Sequence, residues 1–374
     1  MRLLIAINVR WWNAEAAYAL NVARAFMENN IPVWVVADKG SPVFLKARKA
    51  NIPLLEGVNL SSNSPITQWK NYRRLKQFIL ENRINVINSF KSSGSFLFTL
   101  LRNHLPQLTF CKTRGEASPP KKNIFNRYLY SNKGCDGIIA AGKQVEQWVR
   151  DLNIGQQKMK TIYFCDYPLK ERVGEMSEET AEKLSFAAGG KVVALVGRTQ
   201  PVKGHLVALQ AFLSLKEKDL HLLFLVKDLE EYPQELRELY AFIAENNLQA
   251  KVTVSGFQAS LARVLENVDI GIIPSLGSEI NCRMVVEFFS MGIPLVVFPT
   301  GTLPEVVKHG QNGYVCKEKT AEDLKRGIEW ITKDPELVPI LGKKAFENYE
   351  ERFTLRSLFE ETSRFYLSLK ELRE

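Results

Sequence analysis

Residues 269–315 read DIGIIPSLGSEINCRMVVEFFSMGIPLVVFPTGTLPEVVKHGQNGYV. An apolar run of strand length ends in Pro274-Ser275, a polar loop carries Glu279, and a helix follows with Glu287 in its early part. Gly292-Ile293-Pro294 closes the helix, a second apolar strand comes next, and Gly301 turns the chain. Strand, loop, helix and strand in this order make a βαβ unit and therefore a parallel sheet. On a single helix, residues eight apart stand roughly 80° from each other. The two carboxylates reach one pocket more readily with Glu279 in the loop and Glu287 inside the helix. Such loops lie at the carboxyl ends of strands, where α/β sheets bind ligands.

The same alternation runs outward in both directions. The second half offers strands KVVALVG (191–197), HLLFLV (221–226), KVTVSGF (251–257), DIGIIPS (269–275) and PLVVF (294–298). The first half offers LLIAINV (3–9), VWVVA (33–37), VINSF (86–90), TFCKT (109–113) and GIIAA (137–141), with helical stretches such as Ala14 to Glu28 and Trp69 to Asn82. Between the halves lies a polar stretch, Lys170 to Gly190. The restart predicts an α/β chain of two Rossmann-like domains facing a cleft, a preferred place for a ligand. The domains are expected at 1–168 and 169–352. The amphipathic tail 353–374 opens at Thr354, a suitable N-cap, and is expected to cross back to the N-terminal domain.

Composition narrows the function. The 374 residues are 45% hydrophobic and 24% charged, ordinary for a globular protein with real cores. No apolar run reaches the roughly 20 residues that span a bilayer, and the N-terminus lacks the features of a signal peptide. The five cysteines, Cys111, Cys135, Cys165, Cys282 and Cys316, are scattered. That argues for reduced thiols in a cytoplasmic protein and against a disulfide framework or zinc site. Lys+Arg 50 against Asp+Glu 41 gives a net charge of +9, which suits a phosphorylated substrate, an anionic membrane or a nucleic acid. No nucleic-acid recognition motif accompanies that charge, so a nucleic-acid partner is not expected.

The second half opens with GRTQPVKGH, in which Gly197 ends a strand and a helix starts near Gly204-His205 and runs to Lys216. Arg198 and Lys203 stand together in a strand-to-helix loop, where the helix dipole and free N–H groups already favour an anion. Arginine grips phosphate bidentately and lysine adds a point charge. The loop Glu279 to Arg283 leads into a second helix N-terminus, where the N–H groups of Asn281, Cys282 and Arg283 can meet another anionic oxygen. Glu287 lies among Val285, Val286, Phe288 and Phe289, a costly place for a carboxylate without a partner, and it can accept from vicinal hydroxyls as carboxylates do with a ribose. Gly301-Thr302 can bring backbone amides near a phosphate. Glu305 is expected to favour the first turn of a short helix.

The ordered series GR-x4-KG, SE-x7-E, MG-x-P, TG-x-LPE and G-x-x-GYV over Val192 to Val315 resembles the donor-binding half of the GT-B-fold retaining glycosyltransferases of family 4 (group 1), which include lipopolysaccharide-core and other bacterial glycan enzymes. The N-terminal half matches more loosely. Trp11-Trp12-Asn13-Ala14 stands where the family often has a glycine pair, and Arg114-Gly115-Glu116 with KKNIFNRYLY (121–130) resembles the region before its fifth strand.

The resemblance implies that the N-terminal domain binds an acceptor and the C-terminal domain a nucleotide-diphosphate sugar. Arg198 and Lys203 would hold the diphosphate and stabilise the leaving group. Glu279 would hold donor-sugar hydroxyls, and Glu287 the ribose. Gly197, Ile280, Asn281, Cys282, Arg283, Gly301 and Thr302 would line the donor site, with Asn13, Ala14 and Arg114 in N-domain loops near donor and acceptor. The expected reaction moves a sugar, with retention and without a metal or other cofactor, to a hydroxyl of an envelope glycolipid or polysaccharide. A non-hydrolysing nucleotide-sugar epimerase and a catalytically silent nucleotide-sugar binder are the alternatives. This chain departs from the family at Asn88-Ser89-Phe90-Lys91, where relatives often carry a histidine, at Lys227-Asp228-Leu229, where they have glycines, and at Ala14.

Two basic segments with aromatics, WKNYRRLKQFI (69–79) and KKNIFNRYLY (121–130), suit peripheral contact with an anionic membrane. The competing and favoured reading puts their aromatics in the core and leaves a solvated basic face.

Overall fold

A computed structural model describes residues 1–91, 94–171, 190–215, 218–227, 229–231, 233–256, 261–277 and 279–371. Most of the polar stretch 170–190 lies outside the described residues, as do Lys216, Asp228, Phe257, Ser278 and Leu372. The chain divides into two compact units, Met1–Asp166 with Phe353–Glu374, and Tyr167–Arg352.

The first unit carries a parallel sheet of β1 (Leu3–Ile7), β2 (Val33–Val36), β3 (Val86–Phe90), β4 (Thr109–Arg114), β5 (Gly137–Ala140) and β6 (Met159–Thr161), in the order β2-β1-β3-β4-β5-β6. Every residue of β1, β3, β4 and β5 is buried, as expected of strands covered by helices on both faces. The second unit carries β7 (Lys191–Gly197), β8 (Leu220–Val226), β9 (Val252–Gly256), β10 (Ile270–Ile273), β11 (Leu295–Val297) and β12 (Gly313–Val315), in the order β12-β11-β10-β7-β8-β9. The α/β class and two Rossmann-like sheets agree with the sequence pattern. Each sheet gains a sixth strand that the pattern did not show. β6 and β12 have three residues each, too few for any periodicity to register.

Local chemistry sets the helix ends. The helix Ala14–Glu28 is capped by Asn13, whose side chain accepts from the Ala16 N–H at 2.9 Å. The basic helix runs Pro65–Glu81 and so starts before Trp69, because Pro65 suits the first helical turn. The helix after Gly204 is His205–Leu213. The last helix is Leu355–Lys370, with Thr354 accepting from the Ser357 N–H. It packs within the first unit. Tyr366 Oη pairs with Asn88 Nδ2 at 2.6 Å, Phe359 meets Phe26 edge-on, and Leu369 lies against Gly137. Asn88, at the position where relatives often carry a histidine, is thus a core residue that also accepts from Thr113 Oγ1. No helix among the described residues is long and apolar enough to cross a membrane.

Candidate functional site

The strand order of the second sheet reverses between β7 and β10, and ligands of open α/β sheets bind in the crevice at such a switch point. Three loops meet there. The loop after β7 passes through a 3-10 turn, Pro201–Lys203, and enters the next helix at Gly204, whose φ is +78°. A Cβ at Gly204 would stand 2.1 Å from the Pro274 carbonyl oxygen, so only glycine lets this loop lie against the end of β10. The Leu276 N–H donates to the Val202 carbonyl at 2.8 Å and ties the two loops together.

The contact brings Lys203 to Glu279. The ammonium donates to Glu279 Oε1, which also accepts from Ser275 Oγ at 2.7 Å. Both side chains keep some exposure, 32% for Lys203 and 15% for Glu279, so the pair is reachable from solvent. The loop after β11 braces Glu279 from behind. The Thr302 N–H donates to the Glu279 carbonyl at 2.8 Å, and Thr302 Oγ1 donates to the carbonyls of Glu279 and Ile280. Gly301 sits at φ +59°, where a Cβ would fall 2.1 Å from that same Glu279 oxygen. The Thr302 amide, expected near a phosphate, is therefore committed to positioning the Glu279 loop.

Arg198 is exposed one residue beyond β7. A Cβ on Gly197 would meet nothing within 4 Å, which leaves that backbone open to approach. Glu287 lies inside the helix Arg283–Ser290, buried to 3% exposure. Its partner is Arg283, whose Nε donates to Oε1 at 2.9 Å. Arg283 thus supports Glu287 through Nε, while its side chain stays 31% exposed. Cys282 begins this helix in the left-handed region at φ 45°. Burial, with Glu279 nearby, pushes its thiol far above the usual range, so the thiol stays protonated.

The N-domain residues behave differently. Asn13 spends its side-chain oxygen on the helix cap, and Ala14 is the first helical residue beside it. Arg114 is 4% exposed and tied to Glu116, Tyr130 Oη and the Ser118 carbonyl. It is a tether for its loop. Sequence reading missed Glu15, which is 5% exposed, with Lys91 Nζ 3.8 Å from Oε2. Desolvation, only partly offset by Lys91, raises its carboxyl to about 7. The only signal available was an acid in a first helical turn, which reads as dipole chemistry. The basic segments follow the favoured reading in part: Tyr130 is buried in the first core and Tyr72 and Phe78 pack against it, but other rings stay outside. Trp69 is 57% exposed with Arg73 stacked on it, and Phe125 is 53% exposed. These aromatics are not core.

Family models match a large part of each unit. Residues 16–164 match the family described as Glycosyltransferase Family 4, and residues 176–348 match Glycosyl transferases group 1. Among curated proteins, the N-acetyl-alpha-D-glucosaminyl L-malate synthase of Bacillus anthracis is 23% identical over 252 residues, covering 67% of this chain and 63% of that one. The chain thus spans less than two thirds of that relative's length. A glycosyltransferase structure from Rickettsia africae superposes with a TM-score of 0.85 at 17% identity, covering 98% of both chains. Anabaena HepE in complex with UDP superposes with a TM-score of 0.82 at 17% identity, covering 98% of this chain and 100% of HepE. The fold is that of the GT-B class. Within that class, the chain carries a family 4 glycosyltransferase domain followed by a group 1 glycosyltransferase domain.

Proposed function

We propose that this protein transfers a sugar from a nucleotide-diphosphate sugar to a hydroxyl of an envelope glycolipid or polysaccharide, with retention of anomeric configuration. The observation that carries the reading is the Lys203–Glu279–Ser275 constellation at the switch point between β7 and β10. A cation and a carboxylate held side by side can address the two halves of such a donor. Lys203, with Arg198, takes the diphosphate and stabilises charge on the leaving group. Glu279 turns to the sugar hydroxyls when the phosphate takes over its lysine. Glu287, oriented by Arg283, accepts from the ribose, and the N–H groups at the start of the helix Arg283–Ser290 favour a phosphate oxygen. The UDP held by HepE supports a nucleotide donor for this chain as well.

The leaving phosphate, once formed, is the base for the acceptor hydroxyl, so the reaction needs no protein base. Two arginine and lysine charges with the helix N-termini supply the positive potential, and we assign no metal to the step. The second unit is the donor domain and the first the acceptor domain. We place the protein on the cytoplasmic side, peripheral to an anionic membrane. The test is release of nucleoside diphosphate from UDP-, GDP- and ADP-sugars with a lipid or glycan acceptor extract. Acceptor-dependent release with one of the three is expected. Binding without release would favour a silent nucleotide-sugar binder, and interconversion of the free nucleotide-sugar would favour an epimerase.

A further inference from the structure

The first sheet also has a switch point, between β1 and β3, and a cavity of about 1210 Å³ opens there. It belongs to the first unit alone. The loop after β1 gives it Asn8, Arg10 and Asn13, and the end of β3 gives it Lys91. One wall is hydrocarbon, formed by the buried Leu60, Leu97 and Leu129 with the half-buried Leu100. Trp11, Trp69, Phe96 and Phe125 also line it, and these are 60%, 57%, 51% and 53% exposed. Four large rings left this open around one cavity form an apolar surface that a monomer would ordinarily cover. Ligand sites combine apolar and aromatic side chains with placed polar groups in this way.

The polar lining includes Asn8, Asn13, Lys91 and Glu116. Lys91 stands 3.8 Å from the buried Glu15. The charge balance around the cavity is positive. Glu116 is neutralised by Arg114, whereas Arg10 also lines the opening. A second groove, sharing Trp69 and Tyr72 with the cavity, adds Lys70, Arg73, Arg74 and Lys76. Ser61, Asn63, Gln68 and Ser95 also line the cavity and can meet sugar hydroxyls, but a free sugar would leave the leucines and the four open rings uncovered.

We infer that this cavity takes an amphipathic acceptor, its hydrocarbon chain against Leu60, Leu97 and Leu129, and its anionic head group among Arg10, Lys91 and the basic residues of the helix Pro65–Glu81. The assignment of that ligand as acceptor rests on the sugar-transfer reading; its binding does not. It selects a lipid-linked acceptor over a soluble polysaccharide.

Calorimetric titration of the full chain, without nucleotide, tests it with octyl, nonyl and decyl phosphate below their micelle concentrations, and with inorganic phosphate and decyl glucoside as controls. Affinity should rise about fourfold per added methylene. Decyl phosphate should bind at least tenfold more tightly than decyl glucoside at low salt, with the margin narrowing as salt screens the head group. Any heat from inorganic phosphate, which the loops of the second unit can also take, should be the same in wild type and in the double variant Phe96→Ser with Phe125→Ser. Phe96→Ser with Phe125→Ser changes two exposed rings and should weaken decyl phosphate at least tenfold with an unchanged circular-dichroism spectrum. Affinity that ignores chain length, or full affinity in the double variant, overturns the hydrocarbon site. Equal binding of glucoside and phosphate overturns the anionic head. Nucleotide titration of the same preparation separates the two readings. Nucleotide binding without alkyl-phosphate binding sinks this inference and spares sugar transfer, and the reverse result does the opposite.

Discussion

Lys203 and Glu279 stand 76 positions apart in sequence and share one hydrogen bond. That proximity separates a working constellation from two surface charges, and it makes sharp expectations. Lys203→Ala and Arg198→Ala should each lower turnover roughly 100- to 1000-fold, the usual loss for one preorganised group at a leaving-group charge, with melting temperatures near wild type. Near-normal turnover in both variants would remove this loop from the diphosphate. Glu287→Ala should weaken nucleotide binding more than Glu279→Ala, which should chiefly lower kcat, since a ribose contact is made before the reaction and a contact near the reacting carbon strengthens during it. Equal nucleotide affinity in wild type and the Glu287 variant would end the ribose assignment. Glu15 has a pH signature. Its folded carboxyl titrates at about 7 against 4.5 as the ordinary value, so the folded state holds a proton that the unfolded state releases. The stability this provides is whole below pH 4.5 and is lost as pH rises through 7. Lys91, Glu116 and Arg114 face this group and set the width of that window. Glu15→Gln keeps a neutral group at every pH, so its melting temperature should gain on wild type between pH 5 and pH 8. A constant difference across that range would show that Glu15 is ionised throughout.

The elements show what was legible in the sequence and what was not. Strand β7 and the helix Ala14–Glu28 stand where their apolar periods placed them, because long buried runs leave few alternatives. The loops to which we assign the chemistry were legible as glycine, lysine and glutamate in order, and not as contacts. Nothing local says that Gly301 must lie under the Glu279 carbonyl or that Ser275 joins the carboxylate, since both are close approaches between separate loops. The basic helix Pro65–Glu81 shows the opposite failure. Its period puts Leu75 and Ile79 in the core correctly, but cannot say that Trp69 stays outside, because a single aromatic at a helix end fits either face. That exposed edge, with Arg73 stacked on Trp69, is where membrane contact is argued. Each lysine or arginine near an anionic surface contributes about 1 kcal/mol, reduced by salt. Arg73→Glu with Arg74→Glu should release the protein from anionic vesicles in low-salt co-sedimentation and leave nucleotide affinity unchanged. Wild type that fails to sediment with such vesicles at low salt would reduce this face to ordinary solvated surface.

At the scale of the whole chain, the path of the polypeptide couples its end to its beginning. The helix Leu355–Lys370 follows the second unit in sequence and belongs to the first in space. It completes the first core with Leu358, Tyr366 and Leu369, each fully buried. At about 1.5–3 kcal/mol for a large apolar side chain removed from water, those three residues represent a large fraction of the 5–15 kcal/mol by which domains are usually stable. Tyr366 adds a polar debt, because Asn88 would keep a buried amide N–H with no partner once its hydroxyl is gone. A chain ending at Arg352 should therefore lose its first unit and keep its second. In limited proteolysis the first 166 residues should be cut away early, while a fragment beginning near Tyr167 survives and, on the proposed function, gains further protection from a nucleotide donor, as expected when a ligand binds only the folded state. Restoring a Tyr366→Phe helix should recover most of the resistance, since it returns the packing and withholds one hydrogen bond. If the truncated chain resists protease over its first unit as well as the full chain does, the helix is an appendage to a core that is already complete. If both units fall together, the two cores are not independent, and nucleotide binding would vanish with the helix.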